Sequence, residues 1–515
     1  MHVRSYVVRL APVVLLAGAS SLSLGQDWNN LGGNGRCNGL SNVVGPDGVG
    51  ASDLLWENAL PSFIAWNPVA EGRRVFVVRQ TGFPPDPPAG SDSIYALDLD
   101  TGAILWTVDL PYETGDWTTW IAGVKDGRLY ASRSGNGGSV AAPIYCLDAA
   151  TGAVLWHTAG GASPLPPRYE ITAGPYTGAV FAPDGDILFG SNRWVERVDA
   201  MTGAVVWRTA RTEQVGNTTG VVIEGNGVYT VDLIAGSGNR IAFRKFDLAT
   251  GAFLYRGPFM AAGGLLHNAP YIGVDGRLYI NTGQNFNINY DFLYSYTDTG
   301  TAIVENWRTS SGGGGEFSRW GVGPDGSIYS ASWTGAPDPE GSFILQRINP
   351  ADGQVIATYP TPITGDYMQF HMAVDARGVI YLSNGTAGGF NGGRLYSFNP
   401  DLTLRWSEPI DGNLNQGSPI LATDGTMIVA STGTILRAYR TAATCNDIDF
   451  NNDGSTFDPT DIDAFFSVFS EGPCIPATAT CDDIDFNNDG SLFDPCDIDS
   501  FLLAFSEGPC TLCGQ

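Results

Sequence analysis

The chain has little positive charge: 27 Lys or Arg stand against 53 Asp or Glu, for a formal charge of −26 over 515 residues. Such a field repels polyanions, which excludes nucleic acid and anionic lipid as partners. Histidine is scarcer still. Beyond the first 25 residues only His157, His267 and His371 remain, too far apart in sequence to read as a ligand cluster. Cysteine is sparse over most of the length, with Cys37 and Cys146 alone before residue 440, and no C-x-x-C-H occurs, which argues against covalent haem. G-x-S-x-G and H-E-x-x-H are both missing, and the glycine run 312–315 lacks the Lys and Ser/Thr of a phosphate loop. Long apolar runs are missing too. The one candidate, residues 10–16, follows Arg4 and Arg9 and is succeeded by Gly18, Ser20 and Ser21, with Ser23 and Gly25 before a cut ahead of Gln26. This reads as an export signal over 1–25 and a mature chain without a membrane span.

What is abundant is glycine, 67 residues of it, and it is periodic. "IYALDLDTGAILW" ends at Trp106, "IYCLDAATGAVLW" at Trp156 and "VERVDAMTGAVVW" at Trp207, and weaker copies reach Tyr255, Gly300, Gly353 and Trp406. The turn glycines Gly102, Gly152, Gly203, Gly251, Gly300 and Gly353 recur every 48 to 53 residues. A second signature, a turn glycine followed by a short apolar strand, occurs in eight copies at Gly72, Gly127, Gly185, Gly227, Gly276, Gly326, Gly378 and Gly425. Each unit has room for four short strands and contains no credible helix. One such sheet cannot bury both faces, whereas stacking sheets radially and closing the ring does so. The reading is therefore all-β: an eight-bladed β-propeller over 26–440, closed by strands from both ends of that region. The segment before Trp56 is expected to lie against the last blade. Asp98, Asp148 and Asp199 are expected to hold turns by accepting backbone amides. Trp56, Trp106, Trp156, Trp207 and Trp406 read as structural residues packed between blades.

Residues 28–34, "WNNLGGN", and the recurrent "YALDxxTGxxxW" resemble the repeats of pyrroloquinoline-quinone-type propellers over about 26–440. That family includes quinone-dependent alcohol dehydrogenases and non-enzymatic eight-bladed relatives of bacterial envelopes. Its quinone enzymes carry adjacent cysteines beside the cofactor, together with a carboxylate base and calcium ligands. This chain has no adjacent cysteines, and no residue aligns onto those roles, so the expectation is that quinone is not bound. Glu113, Asp116, Trp117, Glu316, Arg319, Trp320, Asp366 and His371 lie at corresponding places before the second signature, where convergence on one mouth of the ring is set against ordinary inner-strand packing.

The last 71 residues contain 15 Asp or Glu and no Lys or Arg. Residues 445–474 and 481–510 are near-identical copies offset by 36, each opening on D-x-N-x-D-G. Asp449, Asn451 and Asp453, and likewise Asp485, Asn487 and Asp489, present oxygens from alternate positions, with glycine next to permit the sharp turn. The pattern resembles dockerin-type and EF-hand-like calcium repeats over 441–515, with Asp461 and Asp497 in place of the late glutamate and Asp458 and Asp494 as further ligands. It implies two calcium ions. Helices are expected from Pro459 and Pro495, with apolar faces through Ile462, Phe465, Phe466 and Phe469 and through Ile498, Phe501, Leu502 and Phe505. Export permits disulfides. Repeat symmetry favours Cys445–Cys474 and Cys481–Cys510, leaving Cys496 and Cys513 for each other. The tail is either a metal-filled structural knob or a docking module, and exposure of the Phe-rich face decides between them.

These readings together imply an exported, non-catalytic scaffold or binding propeller with an extracellular or envelope protein, or a polysaccharide, as partner. The alternative is a quinone-dependent oxidoreductase or carbohydrate-active enzyme.

Overall fold

The computed structural model describes residues 27–59, 63–80, 93–111, 118–134, 143–158, 179–190, 194–212, 220–237, 240–260, 270–282, 292–310, 320–333, 342–361, 363–364, 369–385, 394–409, 419–430, 435–441, 446, 448–455, 459–470, 472–476, 479–482, 484–487 and 495–506. Eight antiparallel sheets follow one another in sequence. Seven take consecutive strands and form blades 1 to 7, within residues 63–109, 118–157, 180–210, 222–256, 271–309, 321–364 and 369–409. Blade 8 is composite: Ile420–Leu421, Met427–Ala430 and Ile435–Tyr439 are completed on the outside by Leu54–Ala59 from the beginning of the chain. The blade count matches the eight sequence copies, and closure by both ends is observed. Among the described residues no helix is long and apolar enough to cross a membrane.

The motif works as a clasp between blades. In blade 1 the Asp98 carboxylate accepts the amides of Asp100 and Thr101 and the Thr101 hydroxyl, and Gly102 turns at φ 66°. Asp148, Asp199 and Asp247 repeat this, and the hydroxyl of the following threonine is foremost in holding each carboxyl below its ordinary value. A bulge then puts one extra residue into the outer strand just before the aromatic, Leu105 opposite the Ala96–Leu97 step in blade 1 and Leu155 opposite the Cys146–Leu147 step in blade 2. Bulges re-aim side chains, and here the tryptophan turns onto the next blade. Its indole N–H donates to a carbonyl in that blade's turn: Trp56 to Leu99, Trp106 to Ala149, Trp156 to Ala200, Trp207 to Leu248 and Trp307 to Pro350, at 2.7–3.1 Å. The ring lies flat on the turn glycine. A Cβ at Gly152 would stand 2.8 Å from the Trp106 ring, and one at Gly203 would stand 2.6 Å from Trp156. Glycine at these positions therefore serves close approach as well as positive φ. Trp406 docks on the Asp47 carbonyl instead, because blade 8 has no such turn of its own.

The C-terminal segment folds as two helices, α1 (Pro459–Phe469) and α2 (Pro495–Phe505). They pack through Phe465 and Phe501, whose rings stack at 4.1 Å, over Ile448, Phe450, Ile484 and Phe486. The two repeats are related by a local twofold. The Asn446 amide donates to the Phe486 carbonyl at 2.8 Å, and the equivalent Asp482 amide donates to Phe450 at 3.0 Å.

That symmetry overturns the expected bridging. Cys474 is bonded to Cys481, with Cα atoms 5.6 Å apart, rather than to Cys445, and Cys481 is consequently not paired with Cys510. The reciprocal hydrogen bonds lay the entry segments of both repeats side by side, so the chain leaving the first helix must double back to begin the second repeat. Cys496 is also disulfide-bonded. Its partner, with Cys445, Cys510 and Cys513, lies outside the described residues.

Candidate functional site

The inner strand of every blade runs toward one face of the ring, where it turns into the second strand, and the Asp-containing turns and the exit of the last strand lie on that face as well. Arg73, beside the inner turn of blade 1, accordingly pairs with Asp100 of the outer turn and with Asp424 of blade 8. Burial pushes the Asp424 carboxyl up, but hydrogen bonds from Thr426 and the charges of Arg73 and Arg440 outweigh it and leave the group below its ordinary value.

Across this turn face runs a strap, residues 27–47. Its carbonyls at Trp28, Asn29, Gly35, Arg36, Asn38 and Gly39 accept amides of Ala70, Val124, Ile223, Ile272, Val322 and Val374, members of blades 1, 2, 4, 5, 6 and 7 in order. One segment thus touches six inner strands in ring order, winding round the axis rather than lying only against the last blade. Its later part does reach blades 7 and 8: the Gly45 amide donates to Asp375, Val44 sits so close to Gly425 that a Cβ there would collide with its carbonyl, and the Asp47 amide donates to the Thr441 hydroxyl.

The strap is held in shape by asparagines spaced four apart. Asn30 donates to the Asn34 carbonyl at 2.9 Å, Asn34 to Asn38 Oδ1 at 2.7 Å, and Asn38 to the Ile272 carbonyl at 2.8 Å. The amides of Gly32, Arg36 and Leu40 donate back to Asn30, Asn34 and Asn38 respectively. All three asparagines are buried. Their N-x-x-x-N-x-x-x-N spacing is legible in the sequence, though the sequence reading did not use it. Arg36 makes a two-pronged pair with Glu224 at 2.8 and 2.9 Å, pinning the strap to blade 4. Beside the strap opens a cleft of about 700 Å³, lined among others by Asn29, Arg36, Ser41, Lys125, Phe181 and Pro324.

The residues preceding the second signature are set between convergence on one mouth of the ring and ordinary inner-strand packing. Glu113, Asp116, Trp117, Glu316, Arg319 and Asp366 lie outside the described residues. Trp320 and His371 are described, and each is only 3 % exposed. Trp320 belongs to the apolar core beside Met372 and Val374, so it is inner-strand packing rather than lining. His157 stacks on Tyr145 at 5.4 Å.

In the tail, hydrogen bonds tie the first loop around Asp449 and Asn451 and connect it to the start of α1. Asp449 accepts the amides of Asp453 and Gly454 at 2.9 and 2.8 Å, Asn451 Oδ1 accepts the Asp453 amide at 3.0 Å, and the Asn451 amide points at Asp461 at 3.5 Å. Asn451 and Asp461 are fully buried and Asp449 nearly so. In the second loop Asn487 and Asp497 are buried equivalently, and Asp485 is half-buried. Asp458, Asp489 and Asp494 lie outside the described residues, and among the described residues no three acidic, His or Cys side chains already converge as a metal cluster. Phe465 and Phe501 are buried, whereas Phe466 and Leu502, equivalent positions of the two repeats, are 40 % and 43 % exposed.

Comparison with known proteins concerns the ring. The family model described as "Outer membrane protein assembly factor BamB" matches residues 90–170 and 144–258. No curated protein matches the chain. Among solved structures, a europium-containing methanol dehydrogenase is similar at 14 % identity and TM-score 0.53, over 78 % of this chain and 89 % of that one. The quinohemoprotein alcohol dehydrogenase from Comamonas testosteroni is similar at 13 % identity and TM-score 0.53, over 86 % and 85 %. At such identities the likeness is one of fold, a β-propeller, and the family model matches the ring over residues 90–258.

Proposed function

We propose that this chain is an exported, non-catalytic scaffold or binding propeller of the cell envelope or exterior, carrying an acidic repeat module that binds two calcium ions. The observation that carries the first part is the commitment of the ring's conspicuous residues. The repeated aspartates cap turns, the tryptophans clasp neighbouring blades, and the strap stitches six inner strands together on the turn face. The match to an outer-membrane assembly factor family supports an envelope location and a role in holding proteins rather than transforming substrates. The dehydrogenase neighbours share the fold, and the sequence supplies no adjacent cysteines for their chemistry. Incubation of the mature chain with quinone, calcium and a panel of alcohols and sugars should leave an artificial electron acceptor unreduced, and turnover would defeat this reading.

The calcium assignment rests on donor chemistry. Asp449 and Asp461 are buried in a module that has no basic side chain of its own, with Asn451 of the same loop as Asp449 buried beside Asp461, and Asp453 lies two residues further along that loop. Hard oxygen donors in a flexible loop suit calcium rather than magnesium. Asp485, Asn487, Asp489 and Asp497 would hold the second ion. Titration calorimetry of the full mature chain should show two equivalents of calcium, and no heat at millimolar calcium would sink the assignment.

A further inference from the structure

In a chain this acidic, a cationic patch without acidic partners is conspicuous, and blade 4 carries one. Most basic side chains in this part of the ring are met by carboxylates, Arg197 by Asp186, Arg208 by Glu196, Arg211 and Arg244 by Asp232, and Lys245 by Asp298; Arg240 and Arg256 are the exception among the described residues. Arg240, just before the third strand of blade 4 (Ile241–Asp247), and Arg256, ending its outer strand (Phe253–Arg256), both stack on Phe259, with guanidinium carbons 5.4 and 4.3 Å from the ring centre. Both arginines are exposed, and among the described residues neither has a carboxylate partner. Phe253 and Leu254, 45 % and 44 % exposed, lie on the same outer strand. The result is an apolar edge carrying two cations.

The rest of the chain contains a complementary surface. The repeat module has 15 carboxylates and no basic residue, and two bound calcium ions would still leave it at about −11. It also exposes Phe466 and Leu502. We propose that the acidic repeat module of one copy docks on the Arg240–Phe259–Arg256 edge of blade 4 in a second copy.

Topology excludes the copy's own module. The last strand of blade 8 ends at Tyr439 on the turn face, and Asn446 already belongs to the module. The six residues between them span at most about 20–25 Å when fully extended. Blade 4 stands opposite blade 8 in a ring of eight. Arg240 and Arg256 lie at the other end of its strands, on the face away from the tail's exit. From strand spacing alone, opposite outer edges are on the order of 45 Å apart, and the path must also round the rim. A donor surface on one face and an acceptor on the other, at opposite blades, make a heterologous contact that builds head-to-tail chains rather than a closed pair. The proposal rests on the tail being a docking module, and not on the ring being non-catalytic.

Sedimentation velocity of the full mature chain, over a concentration series with calcium and at low and high salt, is the test. Wild type should associate with concentration, and less so at high salt. R240E/R256E should associate at least about tenfold more weakly, as should F466S/L502S on the other surface. Mixing the two variants leaves one good surface on each and should give a complex of twice the monomer mass that grows no further. Unchanged calcium heats and circular dichroism establish that both variants are folded, and a calcium failure would show in those heats independently of association. Wild type that stays monomeric at every concentration overturns the proposal, as does R240E/R256E that associates like wild type. Monomeric wild type that binds polygalacturonate through these arginines would overturn it too and assign the edge to an acidic polysaccharide.

Discussion

The ring and the tail are both acidic, but they neutralise their carboxylates in different ways. Before residue 445 the chain has 38 acidic and 27 basic residues, and its carboxylates are met from within: Asp98 by its own turn, Asp47 by Arg377 and Arg405, and Asp424 by Arg73 and Arg440. The tail has 15 acidic residues and no basic one. The ring also buries a large core in every blade, whereas the module's core is a handful of rings around Phe465 and Phe501. A fold that carries its own counter-charges and a large core is self-sufficient. One that lacks both must import a cation or be stapled.

The largest effect should therefore come from chelation. Excess EGTA should unfold the module while the ring keeps its cooperative transition, because binding free energy is folding free energy only where folding needs the ion. Hydrogen exchange should show the amides of α1 and α2 losing protection while those of the blades stay unchanged. Equal protection of the helices with and without calcium would erase the proposed contrast between the two regions.

Within the ring, Trp207→Ala should cost about 3–5 kcal/mol, because its indole is 7 % exposed, donates to Leu248 and lies flat on Gly251. Trp106→Ala should cost less, since Trp106 is only half-buried. Denaturant titration of the two variants reads the difference, and equal losses would mean that the clasp acts through its hydrogen bond rather than through burial.

What the sequence could disclose follows the same division. Blade number and closure were legible because both signatures repeat at a fixed period, and each copy reports the same local turn. Trp307 was missed although it clasps like the others: it lies seven residues after Gly300, whereas Trp106 lies four after Gly102. The strap was missed because it occurs once. Its contacts pair residues such as Asn38 and Ile272, more than two hundred positions apart, and no periodicity announces them. The tail's loops were legible as a pattern of oxygens, but the pairings of Cys474 and Cys481 were misassigned. Duplication showed two equal units, and the bridge observed depends on how those units face each other.

The twofold in the tail makes the remaining connectivity predictable. Shifting Cys474 forward and Cys481 back by the 36-residue offset gives Cys510 and Cys445, so these two should be bonded, leaving Cys496 to Cys513. Non-reducing peptide mapping checks both pairs. Replacing Cys474 and Cys481 by Ser, which opens a short loop, should destabilise the module by about 2 kcal/mol and leave the ring's transition unmoved.

The smallest effect belongs to a carboxylate that the ring neutralises for itself. Burial pushes Asp298 up, but hydrogen bonds from Lys245, Tyr229 and Tyr255, each at 2.6 Å, more than offset it and hold the group below its ordinary value. A depressed carboxyl stabilises the fold fully above its unfolded pKa, and the contribution fades as pH falls through the folded value. Asp298→Asn should thus lower the ring's stability by on the order of 1 kcal/mol at neutral pH, and the gap from wild type should narrow below about pH 4. Denaturation at pH 7 and pH 3 measures it. A gap that stays constant or widens in acid would show that Asp298 acts there as a hydrogen-bond acceptor of fixed charge, and that its contact with Lys245 is not part of the ring's internal neutralisation.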